Sequence, residues 1–86
     1  METAPRVTVL MTVHNGLPYV AEAIDSVLRQ TFQDFELVII DDASTDASVA
    51  WIRRYPDPRI RLWVNPRNRG QASSLNDGLA RARAPY

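Results

Sequence analysis

Two adjacent carboxylates, Asp41 and Asp42, stand where the apolar run Leu37 to Ile40 ends, and Ser44, Thr45 and Asp46 follow them. Like charges side by side disfavour one another unless each meets a donor or a cation. Capping of a following helix by Asp42 or Ser44, a contribution of about 1 kcal/mol, explains part of the cluster. It does not require Asp41. A paired acid at a strand end is better suited to accept hydrogen bonds from a ligand rich in N–H and O–H groups, such as an imide or ribose hydroxyls. Two further polar groupings have the same character. "TVHNG", Thr12 to Gly16, sets an imidazole and an amide after an apolar run, and "NPRNRG", Asn65 to Gly70, sets Arg67 and Arg69 after another. Ordinary roles are available here too: Asn15 as the cap of a helix, His14 as a loop residue, the arginines as solvated charges, Gly70 as a tight turn.

Composition bounds what these groups can belong to. At 86 residues and 45% hydrophobic content, the chain can bury about 60% of its unfolded surface, enough for one modest core and not for two domains. Ten basic residues, all of them arginine, balance ten acidic ones. No global field therefore favours nucleic acid or an anionic membrane. The absence of cysteine excludes a disulfide framework and a thiolate metal site. No run approaches the ~20 apolar residues of a membrane span, and "METAPRVTV" lacks the apolar region of a secretion signal, so a cytoplasmic chain with no membrane segment is expected.

The elements that must position the polar groups follow from periodicity. "VTVLMTV", Val7 to Val13, is β-branched and almost wholly apolar, which predicts a strand buried on both faces. From Pro18 the period becomes helical. Val20, Ile24, Val27 and Leu28 share one side, with Glu22, Asp25 and Arg29 on the other, predicting a helix that ends near Thr31. Glu36 to Asp41 is a second buried strand. "STDASVAWIRRY" opens with cap-type residues and continues with Val49, Ile52 and Tyr55 at helical spacing. Arg59 to Val64 alternates, with Ile60, Leu62 and Val64 on one side, and is expected at a sheet edge. The last helix presents Ala72, Leu75, Leu79 and Ala82 as its inner face.

Alternation of strand and helix with short loops means an α/β fold: a three-layer, Rossmann-like parallel sheet with right-handed crossovers. In such sheets ligands sit beyond the carboxyl ends of the strands. All three polar loops fall on that side, whereas "RQTFQDFE" and "YPDPR" lie on the other as plain connections. A dinucleotide dehydrogenase needs G-x-G-x-x-G after its first strand, and "TVHNGLPY" has one glycine. A P-loop fails for the same reason and for want of lysine. A signalling receiver domain carries its acidic doublet after the first strand and needs a lysine later on.

The series "VTVLMTVHNGLPYVAEAIDSVLRQTFQDFELVIIDDASTD", followed by "NRGQASSLNDGLARARAPY", closely resembles the amino-terminal part of family 2 inverting glycosyltransferases of the GT-A fold. The resemblance covers essentially the whole chain and rests on linked elements in order. It implies a segment that holds the nucleotide of a sugar donor, commonly UDP. Thr12 and His14 match family positions beside the base, Asp42 matches the acid that pairs with uracil, and Asp41 and Asn15 shape the same wall. The family often has tyrosine at His14 and arginine at Leu75. An imidazole can still stack on a base; leucine cannot make the polar contact, and Arg69 is the weak substitute for it.

The resemblance further implies that residues 1–86 are a single partial domain, the first half of a GT-A glycosyltransferase domain, ending before the strand that leads to the D-x-D-type acids. No catalytic and no metal-binding residue is expected in this chain, and no turnover from it alone. A complete enzyme would use a divalent cation, Mn or Mg, and would transfer the sugar to an acceptor hydroxyl by inverting single displacement. The expected partners are a nucleotide-sugar and, through the edge that the first strand would expose, a second copy of the chain. The strand order expected is third, second, first. A non-catalytic nucleotide-binding or self-associating module and a nucleotidyltransferase-like fragment remain as alternatives, although the latter would carry a Gly- and Arg/Lys-rich loop after the first strand.

Overall fold

The computed structural model describes residues 5–84; the ends of the expected 1–86 segment lie outside them. In chain order the elements are β1 (Val7–Val13), α1 (Tyr19–Leu28), β2 (Phe35–Asp42), α2 (Ser48–Arg53), β3 (Ile60–Asn65) and α3 (Gln71–Arg81). The expected α/β alternation is therefore observed. The sheet is parallel with the order β1-β2-β3. Val7 pairs with Phe35 and Val13 with Asp41 on one side of β2, while Leu37 pairs with Ile60 and Asp42 with Asn65 on the other. All eight residues of β2 are buried: the apolar run Leu37 to Ile40 suits the centre of a parallel sheet, and the acidic Glu36, Asp41 and Asp42 are buried with hydrogen-bond donors.

Because successive side chains of a strand point to opposite faces, each strand supplies two layers. Val9, Met11 and Val13 join Phe35, Leu37 and Ile39 against Val20 and Ile24 of α1 and Ile52 of α2. Thr8, Glu36, Arg61 and Asn65 belong to the other face, where the α3 segment lies. β1 departs from the expectation of burial on both faces. Only Val13 is buried, the rest being half-buried, because among the described residues no strand lies beyond β1. β3 is an edge, as expected, and Val64 is 42% exposed there.

Helix boundaries also differ. α1 stops at Leu28, where the Gln30 N–H turns back to the Val27 carbonyl. α2 starts at Ser48 because residues 44–46 are drawn into a loop that bonds to Asn15. The inner face of α3 is not the expected Ala72–Leu75–Leu79–Ala82 stripe. Its buried residues are Ser74 and Gly78, one turn apart, and Leu79 is 66% exposed. The sheet explains this. A Cβ on Gly78 would run into the Leu10 side chain, so the helix must turn its smallest residues toward β1. Periodicity located the helix, but close approach to a bulky sheet surface decided its rotation.

At the amino end of the strands Glu36, only 1% exposed, ties the same layers together. Its carboxylate accepts hydrogen bonds from the Thr8 hydroxyl (2.7 Å), the Arg61 guanidinium (2.6 Å), the Arg83 main-chain N–H (2.6 Å) and the Arg83 Nε–H (3.1 Å). Burial alone would raise its pKa. The four donors outweigh burial and lower it from 4.5 to about 2.

Candidate functional site

At the carboxyl end of the sheet the three polar loops meet, and hydrogen bonds between them dictate how. The loop after β1 is stitched to the loop after β2. Asn15 N–H donates to Ser44 Oγ (2.9 Å), Gly16 N–H to Ser48 Oγ (2.8 Å) and Leu17 N–H to Asp46 Oδ2 (3.3 Å). In return Thr45 N–H (2.7 Å) and Asp46 N–H (3.2 Å) donate to Asn15 Oδ1. Asn15 reaches this position in a left-handed conformation, φ 51°, which an asparagine tolerates better than most residues. It does not cap α1, which begins at Tyr19 with no side-chain cap; its side chain braces the neighbouring loop instead.

Asp41 and Asp42 lie on opposite faces of the sheet. Asp41, with no exposed surface, receives the Ser44 hydroxyl at 2.6 Å and the Ser44 N–H at 3.0 Å. Asp42 is 4% exposed, so the acid that the sequence placed at an open strand end is covered. Its Oδ1 accepts from Asn65 Nδ2 (3.0 Å) and Arg69 N–H (2.8 Å), and its Oδ2 from Gly70 N–H (2.8 Å). The Arg69 N–H, the Asn65 amide, the Gly70 N–H and the nearby His14 together hold its carboxyl below the usual range against the effect of burial. Neither Asp42 nor Ser44 caps α2. That helix has no side-chain cap at its cap residue, Ala47, and Asp46 bonds to the Ser48 N–H just inside it.

His14 is held by its own bond to the same strand. Nδ1 lies 2.6 Å from the Asp42 main-chain oxygen. A carbonyl only accepts, so Nδ1 carries the proton, and in the neutral ring Nε2 is a bare acceptor. A hollow of about 220 Å³ opens beside it, lined by Thr12, Val13, His14, Asp42, Gln71 and Ser74. A second, of about 250 Å³, lies between the end of β1 and α1 and reaches Met11 and Tyr19. Thr12 and His14 border both.

Of the residues expected at the site, the structure brings Thr12, His14 and Asp42 to one hollow. Asp41 and Asn15 stand behind it, fixing the loops rather than lining it. The Arg69 side chain pairs with Asp77 at 2.6 Å, and its main-chain N–H is what reaches Asp42. Gln71 and Ser74 were not anticipated. The available signal was the small-residue spacing of Ser74 and Gly78, which marks the helix face turned to the sheet. Among the described residues no cluster of three or more His, Asp or Glu side chains could hold a metal ion. Asp41 and Asp42, facing apart, cannot chelate one together. No helix among them is long and apolar enough to cross a membrane.

This parallel sheet with a polar rim at its carboxyl end is shared with glycosyltransferases of the GT-A fold. The mannosyltransferase PcManGT from Pyrobaculum calidifontis, in complex with GDP-Man and Mn2+, matches with a TM-score of 0.84 and 34% identity, over 93% of this chain and 25% of that one. S. aureus TarS 1-349 in complex with UDP-GlcNAc matches with a TM-score of 0.86 and 25% identity, over 92% and 24%. Among sequences, an uncharacterized glycosyltransferase of Haemophilus influenzae is 38% identical over 84 residues, 95% of this chain and 34% of its own length. The succinoglycan biosynthesis protein ExoO of Rhizobium meliloti is 37% identical over 86 residues, 100% of this chain and 25% of its own. The glycosyl transferase family 2 model matches residues 8–86, and the chain belongs to that family. It spans only 25% to 34% of the length of these two sequence relatives.

Proposed function

We propose that this segment binds the nucleotide of a sugar donor, a UDP-sugar, as the amino-terminal part of a glycosyltransferase domain. In the complete enzyme the bond from the anomeric carbon to the donor diphosphate breaks as a bond to the acceptor oxygen forms on the opposite face. The acceptor proton passes to a base supplied from elsewhere, and the nucleoside diphosphate departs. The segment's contribution is to bind and orient the base and ribose. Among the described residues no cluster of three or more His, Asp or Glu side chains forms a ligand set for the divalent cation expected of a complete enzyme.

The observation that carries the choice of base is the hydrogen-bond inventory of Asp42. A carboxylate offers about four acceptor positions. Oδ1 has two donors and Oδ2 has one, which leaves one acceptor position on a residue that lines the hollow. Uracil presents one imide N–H and fits that vacancy. Guanine presents two adjacent donors and would need both oxygens free. The structural relatives are complexes with GDP-Man and with UDP-GlcNAc, so the distinction matters. Titration of uridine and guanosine diphosphates followed by amide NMR tests it. Uridine nucleotides are expected to shift Thr12, His14 and Gln71 with a dissociation constant of about 1 mM, and guanosine nucleotides to shift them much less. Equal responses, or none, would remove the assignment.

Among the described residues β1 has one strand neighbour, which supports a second reading for the 86-residue chain studied alone. Seven uncharged residues with one pairing partner favour association with a second copy. A cytoplasmic location is part of the same proposal.

A further inference from the structure

We infer that His14 makes nucleotide binding proton-coupled: the imidazolium, not the neutral ring, complements an acceptor oxygen of the bound uridine nucleotide. This rests on the reading that the hollow takes the base. Nδ1–H is committed to the Asp42 carbonyl at 2.6 Å. That bond persists in both charge states because the carbonyl accepts from either. Protonation therefore needs no movement of the ring. It changes one atom, Nε2, from an acceptor into a charged donor. The ring borders the hollow together with Thr12 and Asp42, and it is exposed, so the proton has free access.

The ligand decides which state fits. In uracil the imide N–H is flanked on both sides by carbonyl oxygens. With the N–H directed to the open position on Asp42 Oδ2, the groups presented beside it are acceptors. A neutral His14 would set a second lone pair against them, whereas the imidazolium donates a charge-assisted hydrogen bond. A diphosphate oxygen makes the same demand. The shared chemistry is an acceptor oxygen, from the uracil carbonyl or from the diphosphate.

Two carboxylates of the surrounding loops are already held in their charged form by donors. Asp42 is held below the usual carboxylate range by its donors. Asp46 is likewise lowered, chiefly by the Ser48 hydroxyl. The Asp41 carboxylate is occupied by Ser44, and Arg69 and Asp77 on the α3 side neutralise one another. Glu22 on α1 and Arg67 before α3 are exposed to solvent. His14 is the only imidazole of the chain.

The test is titration of uridine and of UDP-glucose, a diphosphate diester with no group titrating in this interval, at about pH 5.5 and about pH 8. Binding is expected to be about tenfold tighter at the lower pH, and the His14 ring nitrogens should report an Nδ1–H tautomer in the free protein at the higher pH. His14→Gln keeps a donor for the Asp42 carbonyl without titrating, and His14→Phe keeps the ring surface. Both should bind with an affinity that no longer changes with pH. If uridine shows the dependence the partner is the base; if only UDP-glucose does, it is the diphosphate. Binding that ignores pH, or a dependence that survives both substitutions, overturns the inference alone. Absence of binding by either ligand at either pH overturns the nucleotide reading and the inference with it.

Discussion

Asp41 and Asp42 are sequence neighbours whose carboxylates serve different loops on opposite faces of the sheet. Asp41 Oδ1 takes the Ser44 hydroxyl at 2.6 Å, which in turn accepts the Asn15 N–H. Asp42 takes the N–H groups of Arg69 and Gly70, each at 2.8 Å. One carboxylate thus ties the loop after β2 to the loop after β1, and the other ties the end of β2 to the start of α3. The doublet is a junction of all three polar loops. Its like-charge repulsion is limited because the two groups diverge and each is satisfied by donors.

A mutational consequence follows for Asp42. Asparagine presents one acceptor oxygen and one amine, so it cannot accept from Asn65, Arg69 and Gly70 as the carboxylate does. Asp42→Asn should lower the urea midpoint at unchanged m-value and weaken UDP binding by about tenfold or more. Asp41→Asn should lower the midpoint as well, yet leave base discrimination between uridine and guanosine nucleotides intact. Unchanged melting in Asp42→Asn would contradict the network described here.

Glu36 sets the acid limit of the fold. Its pKa is lowered from 4.5 to about 2 in the native state, so its stabilising contribution is complete above pH 4.5 and is lost as pH falls toward 2. Glu36→Gln leaves Arg61 and Arg83 without their buried partner and should cost about 3 kcal/mol at neutral pH. Denaturation midpoints measured across this interval should fall steeply in the wild type and much less in the variant. Parallel pH profiles would mean that another group carries the acid limb.

What was legible in the sequence was whatever hydrophobic period decides. Val7–Val13 was located to the residue, and the helix carrying Val20 and Ile24 was recognised by its stripe. Where several loops converge, the sequence says which residues are polar but not which partner each will take. Asn15 could cap a helix or brace a loop, and only the proximity of residues 45 and 46 chooses the latter. The rotation of α3 was illegible for a related reason. Leu75 and Leu79 offer more apolar area than Ser74 and Gly78, but Leu10 leaves no room for a side chain at position 78, and Ser74 on the same face bonds to Asn65. Ala43 gives no sign of its left-handed backbone, φ 56°, since alanine is not a residue that signals one.

That backbone makes a paired prediction. Ala43→Gly should stabilise by about 1 kcal/mol, because glycine occupies the left-handed region without the Cβ clash. Gly70, at φ 87° and ψ 159°, is the converse. A Cβ there would meet nothing within 4 Å, so steric crowding predicts a harmless Gly70→Ala. The conformation itself is nearly restricted to glycine, and the substitution should cost about 1–3 kcal/mol. It should also weaken uridine nucleotide binding, since Gly70 N–H is what orients Asp42 Oδ2. A neutral Gly70→Ala would show that the loop relaxes freely.

The edge that β1 forms among the described residues gives the last expectation. Its seven residues include no charge, proline or glycine, the devices by which exposed edges are normally protected from pairing. Six of the seven are only half-buried, so apolar side chains and unpaired main-chain groups are presented together. In the 86-residue chain by itself this edge should pair with its counterpart in a second copy, antiparallel across a two-fold axis, giving a continuous six-stranded sheet. Light scattering should report a dimer at micromolar concentration. The informative substitution is Leu10→Lys. Val9 and Val13 point into the core shared with α1, so a charge at either would unfold the chain. Leu10 is half-buried at the edge and packs against Gly78 of α3, so a lysine stem takes over that contact while its ammonium extends toward water. Two such charges facing one another across the two-fold should shift the chain to monomer with its circular dichroism unchanged. A wild-type chain that stays monomeric at the highest concentrations attainable would show that twist or local order protects β1 without pairing.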